Sequence, residues 1–224
     1  MCFNKSIGFI IILISCVFFG CQKPTIDKME PAAMFMMDSL HSGHYEGSSI
    51  RTIPKLHWKI QTNGQVISSP VVYDNVVFVG STDKRFYAIE THDGSVKWTF
   101  NTEGEIRSTA TVVDGRVYFL SYDGYLYSLD ARTGDLHWKF KTNGESRHHV
   151  KDYYTGAFKP DFWDFYLSSP IVKNDIVYFG SSDHHVYALD IEKGTLVWKY
   201  KTEDRIHSSP AIQNDVLVIG NVIF

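Results

Sequence analysis

Between Glu145 and Leu167 the chain gathers side chains able to do chemistry: His148, His149, Asp152, Tyr153, Tyr154, Asp161, Trp163 and Asp164. Imidazoles and carboxylates are metal ligands, and the rings among them have faces on which a planar ligand could stack. A metal site needs its ligands converging from positions held by partners, whereas adjacent histidines on extended backbone point to opposite sides. The cluster therefore reads as an aromatic cap over the fold, with a ligand site as the alternative. A second pair, His184-His185, falls where a turn is expected and reads as solvent-facing variation. These patterns assign no catalytic, cofactor-binding or metal-binding residue.

Thiol chemistry is confined to the start of the chain, where Cys2, Cys16 and Cys21 are the three cysteines. Lys5 precedes an apolar run from Ile7 through Phe19, broken only by Gly8 and Ser15, too short for a membrane span and suited to a signal peptide over residues 1–20. Its end, Val17-Phe18-Phe19-Gly20-Cys21, is similar to a bacterial lipobox, in which the cysteine is acylated and becomes the new N-terminus. Phe18 stands where leucine is usual and Phe19 where a small residue is usual, and an uncleaved anchor is the alternative. On the lipobox reading Cys21 is the lipid attachment site, and the mature chain keeps no second cysteine for an internal disulfide. Several acyl chains would hold it on a bilayer facing an extracytoplasmic space. Residues 21–51, rich in Pro, Ser, Gly and Met without periodicity, read as a tether.

The rest must position whatever chemistry exists. Of 224 residues, 44% are hydrophobic and 15% aromatic, enough for one or two packed domains and, with abundant Val and Ile, weighted toward strands. The net charge of −3 becomes −4 without the first twenty residues, whose one charge is Lys5. No cationic field exists to attract a phosphate backbone, which excludes nucleic acid as the expected partner.

Trp58, Trp98 and Trp138 are forty residues apart, and Trp198 follows sixty later, one period plus a twenty-residue insertion over 145–167. On this period Ser68-Ser69-Pro70, Ser108-Thr109-Ala110, Ser168-Ser169-Pro170 and Ser208-Ser209-Pro210 open four units. Asp83, Asp123 and Asp183 share a column, as do Tyr87, Tyr127 and Tyr187. Within a unit, short apolar runs alternate with turn pairs such as Asp74-Asn75 and Asp93-Gly94, predicting four antiparallel strands every forty residues, the pattern of a propeller blade.

Three eleven-residue stretches carry a resemblance. Ala88 to Trp98 (AIETHDGSVKW), Ser128 to Trp138 (SLDARTGDLHW) and Ala188 to Trp198 (ALDIEKGTLVW) resemble the tryptophan-docking motif of quinoprotein-like (PQQ-like) β-propellers, with Glu90 replacing the usual Asp and Ser128 the usual Ala. The resemblance spans roughly residues 58–220. It implies an all-β propeller in which Trp98, Trp138 and Trp198 pack between blades, against the small residue (Ala88, Ser128, Ala188) and glycine (Gly94, Gly134, Gly194) of the adjacent motif. A ring that touches only its neighbours needs such a knob at each seam, so these residues read as scaffold rather than as a quinone stack.

Residues 52–224 thus form a partial PQQ-like propeller: a lone strand near 56–61, three complete blades, and two strands of a fourth up to Gly220. Position 223 should hold the next column Asp but holds Ile223, which suggests a truncated or frameshifted copy of a larger propeller. Two functions follow from the resemblance. One is a non-catalytic, lipid-anchored scaffold binding proteins or peptides at the cell envelope, at the outer membrane facing the periplasm, like the lipoprotein propellers of the outer-membrane β-barrel assembly machinery. The other is the N-terminal half of a PQQ-dependent quinoprotein dehydrogenase, with quinone, calcium and a catalytic aspartate in the central funnel. The absence of a spare cysteine or a recognisable calcium set in the sequence favours the first, with no cofactor expected.

Overall fold

A computed structural model of the chain describes residues 10–14, 32–34, 53–144, 149–151, 158–160 and 167–221. In chain order the strands are β1 (Ile10–Ile14), β2 (Ala32–Ala33), β3 (Val71–Tyr73), β4 (Val76–Gly80), β5 (Arg85–Glu90), β6 (Val96–Asn101), β7 (Thr111–Val113), β8 (Arg116–Ser121), β9 (Tyr125–Asp130), β10 (Leu136–Lys141), β11 (His149–Lys151), β12 (Phe158–Pro160), β13 (Ile171–Lys173), β14 (Ile176–Ser181), β15 (His185–Asp190), β16 (Leu196–Lys201), β17 (Ala211–Gln213) and β18 (Val216–Gly220). Among the described residues no helix is long and apolar enough to cross a membrane. The chain is an all-β, incomplete propeller. β3–β6, β7–β10 and β13–β16 are antiparallel four-stranded blades in meander order, and β17–β18 begin a fourth.

Local chemistry sets each hairpin. The first turn of each blade puts both central residues at positive φ: Asp74 and Asn75 (47° and 62°), Asp114 and Gly115 (50° and 72°), Asn174 and Asp175 (51° and 58°). That pair of conformations matches the twist of the flanking strands, and Asp, Asn and Gly tolerate it best. The middle strands β5, β9 and β15 are buried on both faces, while the outer strands β6, β10 and β16 are largely exposed. A blade sandwiched between neighbours requires this gradient from inner to outer edge.

The cores lie between blades. Phe86 of the first blade stacks on Phe119 of the second at 4.2 Å and 3°, and Phe119 stacks on Tyr127 at 5.3 Å. Phe86 and Phe119 are fully buried, each burial contributing about 1.5–3 kcal/mol. The same pairing recurs as Phe179 on Tyr187 at 5.1 Å.

Three regions differ from the sequence expectation or add to it. Residues 56–61, expected as a lone strand, are irregular, because a strand is defined by a ladder and the described residues supply no neighbour for it. Within the stretch read as a tether, β2 pairs with β7 and Met34 is buried in the core. β1, from the run read as a signal peptide, pairs antiparallel with β18, Ile10 opposite Gly220 and Ile14 opposite Val216.

Candidate functional site

Three seams between consecutive units share one construction. The Trp58 indole Nε1–H donates to the Thr91 carbonyl at 2.7 Å, that of Trp98 to Ala131 at 3.1 Å, and that of Trp138 to Ile191 at 2.9 Å. Each indole lies over the glycine three residues further on. A Cβ at Gly94 would sit 2.7 Å from the Trp58 ring, one at Gly134 2.7 Å from Trp98, and one at Gly194 2.5 Å from Trp138. All three glycines have positive φ (74°, 79° and 65°), so glycine answers both a left-handed turn and a close approach. The small residue occupies a different place from the one the resemblance implies. Ala88, Ser128 and Ala188 face Trp98, Trp138 and Trp198 across the third and fourth strands of the same blade. A side chain directly opposite on a ladder must be short for the indole to lie flat on its own sheet. Phe78, Tyr118 and Tyr178 then meet Trp98, Trp138 and Trp198 at 5.9 Å, a supporting column that sequence reading missed although the three aromatics share a register.

The aspartate and tyrosine columns form a second seam device. Asp83, Asp123 and Asp183 accept from the hydroxyls of Tyr87, Tyr127 and Tyr187 at 2.6, 2.7 and 2.5 Å. The same carboxylate oxygens accept from the backbone N–H of Asn63, Glu103 and Asn143, which follow the outer strand of the preceding unit. Burial, reinforced by the Asp123 carboxylate, drives the Tyr127 phenol far above its usual range. Tyr118 is pushed up to about 12 by burial. Both phenols stay neutral at ordinary pH and keep the O–H proton as a donor.

Next to the axis the serines that open each unit are occupied. The first strands of successive blades contact one another, β3 with β7 and β7 with β13, which places them innermost. Ser69 N–H donates to Thr109 Oγ1 (3.1 Å), Thr109 N–H to Ser169 Oγ (3.0 Å), and Ser169 N–H to Ser209 Oγ (2.9 Å). Thr111 Oγ1 donates to the Pro170 carbonyl. Ser68, Ser108, Ser168 and Ser208 accept from the N–H of Gly80, Leu120, Gly180 and Gly220. Among the described residues no three His, Cys, Asp or Glu converge as a metal-binding group. The Ser/Thr column next to the axis is a hydrogen-bonded belt.

Among the described residues, no turn of a following blade covers the seam beyond the third blade. Trp198 is 37% exposed, and its Nε1–H finds no acceptor among the described residues. It lines a groove of about 480 Å³ with Tyr178, Tyr200, Ile212, Asp215 and Leu217. The counterpart between the first two blades holds about 300 Å³, and its far wall includes Asp130, Ala131 and Arg132.

Other predicted residues fall as follows. His184 has φ 69° at its turn. His185 is not solvent-facing as expected: its side chain is 17% exposed, its Nδ1 lies 2.9 Å from the Asp183 carbonyl, and its ring meets Tyr187 at 5.8 Å. Close packing of the hairpin onto its own third strand draws the ring inward. Cys21 and the side chains of His148, His149, Asp152, Tyr153, Tyr154, Asp161, Trp163 and Asp164 lie outside the described residues; in that insertion β11 and β12 form a backbone hairpin.

Comparison with known proteins agrees with this architecture. A family model described as outer membrane protein assembly factor BamB matches residues 54–113 and 102–222. No curated protein matches in sequence. Among solved structures, BamB from Moraxella catarrhalis is similar with TM-score 0.56 and 15% identity, over 73% of this chain and 49% of that one. A europium-containing methanol dehydrogenase gives TM-score 0.57 and 22% identity, over 77% of this chain and 32% of that one. A computationally designed protein, Ika4, gives TM-score 0.57 and 14% identity, over 77% of this chain and all of that one. The chain thus spans about half the length of the BamB structure and a third of the dehydrogenase. At these identities the likeness is one of fold.

Proposed function

Because the chain belongs to the outer membrane protein assembly factor BamB family of PQQ-like propellers, we propose that it is a non-catalytic scaffold. On this reading it is anchored through a lipid on Cys21 at the outer membrane, faces the periplasm, and binds protein or peptide partners there. The observation that carries it is where hydrogen-bonding capacity is left over. The axial hydroxyls and amides described above are bonded to one another, whereas the outer strands β6, β10 and β16 and the Trp198 groove face solvent. Exposed strand edges and apolar grooves are what polypeptide partners recognise. The fold alone would serve an enzyme equally well, so the assignment rests on these surfaces.

Two experiments test it. Cys21→Ser is expected to shift the protein from the membrane to the soluble fraction; unchanged fractionation refutes the anchor. A photo-crosslinking residue at Lys139 or Lys199, on outer strands, is expected to trap envelope proteins in cells, while crosslinkers at Ser69 and Ser169 on the belt are not. Equal yields from edge and axis, or quinone- and calcium-dependent alcohol oxidation by the purified chain, would overturn the scaffold reading.

A further inference from the structure

Ala32 and Ala33 of β2 pair antiparallel with Val113 and Val112 of β7, and β2 also touches β3. Since β3 and β7 are the innermost strands of the first two blades, β2 lies at the axis. Its residues suit that place. Alanine is short enough to sit beside two first strands, and Met34, just beyond, is 8% exposed in the core cluster that holds Val113, Leu167 and Ile171. An unbranched methionine side chain fills such an irregular gap well. The register also gives a direction: Ala32 stands opposite Val113, the last residue of β7 before the Asp114–Gly115 turn. The chain therefore enters the axis from the end of the blades that carries the first hairpin turns.

We propose that residues 32–34 pin the chain at the axis and so fix which face of the propeller a lipid on Cys21 turns to the membrane, namely the face of the Asp74–Asn75, Asp114–Gly115 and Asn174–Asp175 turns. This rests on the anchor in the proposed function and adds an orientation to it. Eleven residues lead from Cys21 to Ala32, a span of at most about 40 Å, with a flexible-chain average of about 18 Å. Without the pin, the thirty-two residues from Cys21 to Ile53 would reach about 115 Å, and either face could meet the bilayer. With it, turning the opposite face to the membrane takes the chain outward past the four strands of a blade, about 20 Å. It must then run the length of a six-residue strand such as β8, a further ~20 Å. That path uses the whole contour. The opposite face, where β6 leads into β7 through Gly104 and β10 leads into the 145–167 insertion, is thereby turned toward partners.

The test places one fluorophore on either face of the lipidated chain, reconstituted in phosphatidylethanolamine–phosphatidylglycerol vesicles whose headgroups carry an energy acceptor. Arg132→Cys labels the turn after β9, on the first-hairpin face, and Glu103→Cys the connection after β6, on the opposite face; both residues are exposed. The faces lie about 20 Å apart, so energy transfer is expected to be roughly twofold or more greater from residue 132. Hydrogen exchange is expected to be slowed over residues 32–34. Ala33→Pro, which removes a backbone donor, should abolish both the slowed exchange and the difference in transfer. A Gly-Ser insertion of about twenty residues between Cys21 and Ala32 keeps the pin but frees the orientation. It should abolish the difference in transfer alone, so the test stands even if Ala33→Pro folds poorly. Equal transfer from the two faces, or greater transfer from residue 103, overturns the proposal, as does exchange of residues 32–34 at the rate of an unstructured peptide. A chain that mass spectrometry finds without lipid on Cys21 removes the anchor reading and the orientation with it; slowed exchange over residues 32–34 in that chain distinguishes this failure from failure of the pin.

Discussion

Trp138 and Trp198 are the same residue in the same motif, one seated and one not, and the difference between them is measurable. Trp138→Ala removes an indole held between Ser128 on its own sheet, Tyr118 at 5.9 Å and Gly194 of the next blade, with a 2.9 Å hydrogen bond to Ile191. Truncating a well-packed Trp costs about 3–5 kcal/mol. Trp138 is only half-buried, which puts the expected loss near the lower end, about 3 kcal/mol. Trp198 keeps Ala188 and Tyr178 but lacks the glycine and the acceptor, so Trp198→Ala should cost about 1 kcal/mol, the value of a partly exposed apolar contact. Urea unfolding followed by far-ultraviolet circular dichroism reads both, with comparable slopes as the condition for comparing midpoints. In thermal terms, Trp138→Ala should lower the midpoint by on the order of 10 °C and Trp198→Ala by about 3 °C. Equal losses would refute the claim that the seam, rather than the blade's own sheet, is what the indole stabilises.

Two further outcomes follow from the turns and phenols. Gly134→Ala combines φ 79° with a Cβ 2.7 Å from Trp98, whereas Gly115→Ala has φ 72° and nothing within 4 Å. Thermal melts should show a loss of about 1 kcal/mol at Gly115 from conformation alone and at least twice that at Gly134; similar losses would mean that the indole yields freely. The raised phenols of Tyr118 and Tyr127 hold protons in the native state that the unfolded chain releases above about pH 10. Stability is therefore fully present below pH 10 and falls above it, by about 1.4 kcal/mol per pH unit for each phenol. For Tyr118 the fall continues to about pH 12. Tyr118→Phe and Tyr127→Phe should each flatten the urea-midpoint profile between pH 10 and 12; an unaltered slope would show that these phenols titrate normally.

The blades were legible in the sequence because their determinants are local. Asp74-Asn75 and Asn174-Asp175 specify turns by their own backbone preferences, and the Trp98–Trp138 period marks the seams. Which partner each residue takes is not local. Ala88 and Gly94 lie in one motif, yet Ala88 faces the indole of its own blade and Gly94 that of the preceding unit. Likewise, the Asp83 column was visible, but its bond to Asn63 crosses a seam, and the Ser/Thr belt depends on how first strands converge. The strand expected at 56–61 failed for the same reason: its alternation is present, but a ladder needs a neighbour.

The seam hydrogen bonds in which a side chain takes part share a direction, while backbone pairs such as Thr82 N–H to the Gln65 carbonyl and Tyr122 N–H to the Glu105 carbonyl run the other way. Trp58 gives to Thr91, Asn63 to Asp83, Ser69 to Thr109, Thr111 to Pro170, and Arg116 to the Glu192 carboxylate. In each the donor belongs to the earlier unit and the acceptor to the later one. A blade is thus a polar building block, with a giving side and a receiving side, and a row of blades has a head and a tail as an actin-like polymer does. Two copies of one seam face brought together would leave this set of side-chain-linked donors without its acceptors. Only a head-to-tail succession of blades reproduces the side-chain-linked set, so the order of the units in the chain is written into their seams.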